Sequence, residues 1–181
     1  LQVKSDKEVT DKIELSKKNL NIKGETHKKH TTNQQNCNSN INIDYIDYNK
    51  ISNQEQLDNI IDQLINNNNN LQYEIKKIYN FLMILSDDYY STGSYNKWIR
   101  VGWALKNTSP KLLPTWLKFS SQSKEFNYED IPKLVDMWYK FHYNNPDGLT
   151  SRSIMYWAKS DNQTEYEKVR NETISHFVDE T

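Results

Sequence analysis

The chain has 181 residues, with 23 Lys and Arg against 24 Asp and Glu, a formal net charge of −1 and 35% apolar residues. That balance excludes the globally basic character of a nucleic-acid coating protein, and a single cysteine, Cys37, excludes an intrachain disulfide framework and fits a reducing compartment. No apolar run reaches the roughly 18–20 residues that span a bilayer, and no signal-peptide core opens the chain.

The mean hydropathy of −0.95 hides a division along the chain. All five Trp follow Tyr95, and the first forty residues contain no aromatic residue. Only the later part can bury enough apolar surface to offset chain entropy. Residues 1–40, rich in Lys, Asn, Thr, Gln and Ser, are predicted to be a disordered linker with a transient helix over Lys7–Leu20. A start at Leu1 rather than Met implies an excerpt of a longer polypeptide. Ile41–Tyr48 alternates Ile or Tyr with Asn or Asp, which predicts a short strand or extended docking segment. Gln54–Ile65 places Leu57, Ile60, Ile61, Leu64 and Ile65 at helical spacing, and the Asn66–Asn70 run ends that helix and serves as a linker closing a segment 41–70.

From residue 71 to 181 the apolar period is helical throughout. Ile75, Ile78, Leu82 and Leu85 make one stripe, and Tyr95, Trp98, Ile99, Gly102 and Leu105 a second. Leu113, Trp116, Leu117 and Ser120 make a third, with Pro110 and Pro114 near its first turn. Ile131, Leu134, Val135, Trp138, Phe141 and His142 make a fourth, with His142 on its inner face. A Pro146–Gly148 turn breaks the chain. Ile154, Trp157, Ala158 and Asp161 continue a fifth helix, capped by Thr150 or Ser151. Thr164 and Glu167 suggest a capping box before Tyr166, Val169, Arg170, Ile174 and Phe177. The expected fold class is all-α, a compact bundle of about five or six helices behind a mostly disordered leader.

Catalytic constellations are scarce. Four Gly, at 24, 93, 102 and 148, assemble no phosphate loop or dinucleotide fingerprint, and no Asp-x-Asp pair offers a two-metal site. Asp87 and Asp88 read as a solvated helix end. His27, His30 and Cys37 lack a fourth ligand for zinc, and the sequon at Asn107 carries no weight in a chain without a secretory signal. The expectation is a segment with no catalytic, cofactor-binding or metal-binding residues.

Four elements carry a resemblance by their order and spacing. Trp98-Ile99-Arg100-Val101-Gly102-Trp103-Ala104-Leu105-Lys106 is followed by Trp116-Leu117-Lys118-Phe119-Ser120. Trp138-Tyr139-Lys140-Phe141 comes next, and after Gly148-Leu149-Thr150 come Ser153 and Tyr156-Trp157-Ala158-Lys159. Over about Leu71–Asp161 the chain resembles the primase C-terminal domain of type two, found between the primase and superfamily-three helicase parts of primase–helicases of nucleocytoplasmic large DNA viruses. The resemblance implies a non-catalytic domain at 71–181 whose partners are the flanking primase and helicase domains, with no membrane. It implies a parent that makes primers, hydrolyses nucleotide with ATP and Mg²⁺, and works in the host cytoplasm.

The family-motif residues Trp98, Gly102, Leu105, Trp116, Phe119, Ser120, Trp138, Phe141, Ser153, Trp157 and Ala158 read mainly as core and caps. Gly102 in mid-helix costs roughly 1 kcal/mol relative to Ala, which predicts close approach of a neighbour, with a Trp ring over the bare backbone. Lys97, Arg100, Trp103, Lys106, Lys111, Lys118, Arg152 and Lys159 are the candidate contacts to single-stranded DNA, with Lys124 nearby. Bases stack on rings while cations neutralise phosphates. The competing reading is a solvated amphipathic face. Three functions stay open: a spacer coupling primase to helicase, a binder of single-stranded DNA, and a helical interaction module of an unrelated viral protein.

Overall fold

In the computed structural model, residues 45–66 and 70–179 are described. They form seven α-helices and no strand. Asp47 caps a 3-10 turn at Tyr48–Lys50 where the strand was expected, its carboxylate accepting from Asn49 N. Residues 41–44 of that expected strand lie outside the described residues, as do the leader and the His27, His30 and Cys37 grouping.

Helix α1 (Gln54–Ile65) starts where Asn53 Oδ1 accepts from Gln56 N at 3.0 Å and ends at Asn66. Its Leu57, Ile61 and Leu64 are buried against α2 (Asn70–Met83), which contributes Ile75, Ile78, Phe81 and Leu82. Gly93, at φ +86°, then turns the chain into α3 (Tyr95–Thr108). Ser109 caps a 3-10 turn that opens with Pro110 and leads to α4 (Leu113–Ser120). Seven of the eight α4 residues are buried, which makes this short helix the centre of the bundle. It is packed by α1, α2, α3 and α5 (Ile131–Lys140).

Helix α6 (Ser151–Asp161) carries a full capping box. Thr150 Oγ1 accepts from the first turn, and Ser153 Oγ returns the bond to Thr150 N at 3.0 Å. It packs on α2, α3 and the last helix, α7 (Gln163–Asp179). The cap of α7 is Asn162, whose Oδ1 accepts from Glu165 N, and not the expected Thr164–Glu167 box; Glu167 instead pairs with Arg170. Several positions of the expected stripes face water, Tyr95, Asp161 and Arg170 among them. Ile174 is exposed, and His142 lies beyond the end of α5, exposed, because Phe141 breaks into extended backbone there.

The expected boundary at Asn66–Asn70 does not divide the fold. Helix α1 belongs to the same compact unit as the rest, and Leu57, Ile61 and Leu64 share one core with Trp116 and Leu117. Lys118 of α4 is ion-paired with Asp58 of α1. Leu57→Ala should therefore lower unfolding free energy by about 2–5 kcal/mol, as large-to-small core changes do. Urea denaturation followed by tryptophan fluorescence measures it; an unchanged midpoint would mean that α1 lies outside the cooperative unit.

Candidate functional site

The Trp-rich elements converge on one column of rings. Trp98 of α3 stacks on Trp116 of α4, with centroids 5.0 Å apart and planes 25° apart. Trp116 in turn meets Trp138 at 5.6 Å and, edge-on, Phe141 at 5.3 Å. A hydrogen-bond relay fixes the stacking. Trp98 Nε1 donates to Ser120 Oγ at 2.8 Å, and Ser120 Oγ donates to Trp116 O one turn back. Gly102 is where the column crosses α3. A Cβ there would lie 2.8 Å from Phe141 Cε2 and 3.0 Å from Trp116 Cε2 and Nε1. Rings do cover the bare backbone, and that contact is what the mid-helix glycine supplies.

Leu105, Phe119 and Ala158 are fully buried around this column, and Ser153 acts as a cap. Trp157 stays half-buried, tilted on Tyr89 at 5.9 Å. The amide of Asn107 is also structural. It donates to Asn145 O and Leu149 O, and its Oδ1 accepts from Asn145 N at 2.7 Å. Thr108 Oγ1 accepts from Ser151 N and donates to Ala104 O. The end of α3 thereby holds the loop that aims α6.

The candidate contact residues separate into distinct settings. Lys97, Arg100, Trp103 and Lys106 recur every three residues on α3 and so make one oblique ridge about 13.5 Å long, which winds from exposed Lys97 and Arg100 to Lys106 on the buried side. Each cation of the ridge lies against a ring. Lys97 Nζ is 5.0 Å from the Tyr89 centroid and 3.3 Å from Asp88 Oδ2. The Arg100 guanidinium is 5.3 Å from Trp157. Lys106 is 5.5 and 5.3 Å from Trp138 and Tyr139. Trp103 occupies the remaining position and is 45% exposed. Burial lowers the Lys106 pKa, and burial followed by the Asp161 charge raises that of Tyr89, with Lys97 and Arg100 opposing the rise.

Arg152 and Lys159 form a second row on α6. They are exposed and two turns apart, with exposed Tyr156 between them. Lys159 Nζ is 6.0 Å from the Tyr166 centroid. Lys111 is half-buried in the turn between α3 and α4. Lys118, bonded to Asp58, is occupied inside the bundle. Tyr89, Tyr139 and Tyr156 were missed as site residues in the sequence. The cations over Tyr89 and Tyr139 lie on α3, far from them in sequence or on another helix, and only the i, i+4, i+7 spacing of Arg152, Tyr156 and Lys159 could have shown Tyr156. Among the described residues no group of three or more His, Cys, Asp or Glu could hold a metal ion, and no helix is long and apolar enough to cross a membrane.

Residues 79–158 match the family model described as primase C terminal 2. Candidate primases of African swine fever virus, from isolates of pig in Kenya and of warthog in Namibia, are each 31% identical over 97 residues, covering 53% of this chain. The chain spans 10% of the length of those relatives. No solved structure matches it significantly.

The column makes Gly102→Ala informative, because helix propensity and packing act in opposite directions there. Alanine gains up to about 1 kcal/mol of propensity, but overpacking against two rigid rings costs about 1–3 kcal/mol. A net loss with a fall in melting temperature of several degrees is expected by calorimetry; a rise would show that the rings yield freely.

Proposed function

We propose that this chain, whose residues 79–158 belong to the primase C-terminal 2 family, serves a viral primase as a non-catalytic helical domain that guides single-stranded DNA along the outer ridge of α3. The observation that carries this reading is the period-three row Lys97, Arg100, Trp103 and Lys106. Lys97 and Arg100 are exposed and positioned by rings, the Trp103 indole is left open to solvent, and Lys106 ends the row as a buried cation. Cations aligned with an exposed ring suit a strand whose phosphates are neutralised while a base stacks. The row Arg152, Tyr156, Lys159 repeats that chemistry on the helix that supplies Trp157. A neutral domain can hold a strand this way through local arrangement rather than net charge.

Coupling to the flanking parts of the parent polypeptide is the companion role in this reading. Among the described residues two large aliphatic side chains are left uncovered, Leu71 on α2 and Ile174 on α7, where Tyr73 Oη donates to Thr173 O and joins the helices. An apolar spot at such a junction suits docking of a neighbouring domain. Primer synthesis, and helicase action with ATP and Mg²⁺ in the host cytoplasm, would belong to the parent protein.

Fluorescence anisotropy of labelled single-stranded DNA against salt tests the ridge. The exposed cations Arg100, Arg152 and Lys159 predict a slope of log K on log salt of about −2, reduced by about 0.7 in Arg100→Ala. Trp103→Ala should weaken binding at least about fivefold. Lys118→Ala should lower thermal stability and leave the slope unchanged. Absence of binding at low salt would remove the guiding role.

A further inference from the structure

The ring column does not close at its α3 end. Beside the first turn of α3 lies a cleft of about 290 Å³, near the lower end of the range for small-molecule sites. Trp98 is part of its wall, with Tyr90, Tyr95 and Phe126 as further aromatic surfaces, and Ser120 and Glu125 as polar ones. Tyr95 is 59% exposed and tilted 47° from Trp98, so it flanks the indole without capping it as a parallel ring would. The Glu125 carboxylate is exposed but oriented, because Thr92 Oγ1 donates to its Oε1 at 2.7 Å. On the other side of the Ser91–Ser94 loop a second hollow of about 280 Å³ includes Lys97, the first cation of the α3 ridge.

From this geometry we infer that the cleft is a slot for a single unpaired nucleobase carrying an exocyclic amino group. The inference rests on the strand path proposed above and fixes where one base of that strand goes. Flat aromatic walls favour a planar heterocycle through stacking. A carboxylate is an acceptor only, so it selects a base edge that donates. Cytosine offers its 4-amino group, and adenine and guanine offer amino groups as well. Thymine offers one N–H flanked by two carbonyl oxygens, which the carboxylate repels. Asp88 neutralises Lys97 beside the slot, so the slot supplies selectivity, and phosphate attraction falls to Arg100 and the exposed row on α6.

The test compares oligo-dC with oligo-dT of equal length, by anisotropy, with the whole 181-residue chain and its Glu125→Gln and Tyr95→Ala variants. The wild type is expected to favour oligo-dC about fivefold or more. Glu125→Gln, whose amide can donate to a thymine carbonyl, should erase or invert that preference. Tyr95→Ala should weaken oligo-dC binding more than oligo-dT binding. Salt-dependent binding with no preference between the two strands would overturn the slot and leave the ridge standing. Loss of all binding would overturn both, and a preference that survives Glu125→Gln would overturn the slot alone.

Discussion

The placement of α3 depends on the passage of a ring column across a bare stretch of backbone at Gly102. Trp116 and Phe141 approach α3 so closely that no side chain fits beneath them. That approach sets the separation of α3 from α4 and from the end of α5. Each buried Trp removes a large apolar area from water, on the order of a few kcal/mol. The Trp98–Ser120–Trp116 relay adds direction to an otherwise non-directional force. Burial alone would let α3 rotate, whereas a stacked indole bonded to a buried hydroxyl leaves one orientation. The face of α3 away from Gly102 is then the face that shows Lys97 and Arg100, with Trp103 at its flank.

The cations of α3 are held by aromatic surface from three other segments: the turn at Tyr89, Trp157 of α6, and Trp138 with Tyr139 of α5. A long cationic side chain loses rotamer freedom on binding a phosphate. Seating it on a ring beforehand removes part of that loss, while the ammonium or guanidinium keeps its charge. The core and the proposed strand path thus share residues. Trp138 packs in the column on one side and lies beneath Lys106 on the other. The column itself reaches the surface at Trp98 and Tyr95, where the proposed base slot begins.

Much of the fold was legible in the sequence because helical period survives in a single chain. The span Gln54–Ile65, the stripes of α2 and α4, and the need for a ring over Gly102 all follow from local spacing and helix energetics. What failed was decided by contacts between distant residues. The Asn run looked like a domain boundary, yet the stripe of α1 had nowhere else to bury than against α2 and α4. His142 fell on a helical face only if α5 continued past Phe141, and Phe141 instead turned to cover Gly102. Asn162 displaced Thr164 as the cap because α6 and α7 are joined without an intervening turn. At the site, the sequence showed which cations share α3 but not that Asp58 occupies Lys118 or that rings lie beneath the others.

The five indole N–H groups give the most direct measurement of the central claim, that α3's ridge carries single-stranded DNA. Their resonances can be assigned by replacing one Trp at a time with Phe and followed during titration with a short oligonucleotide. The account predicts that the Trp103 signal moves most while those of buried Trp116 and Trp138 stay near their free positions. Binding that leaves Trp103 unmoved, or a titration in which no indole responds, would contradict it.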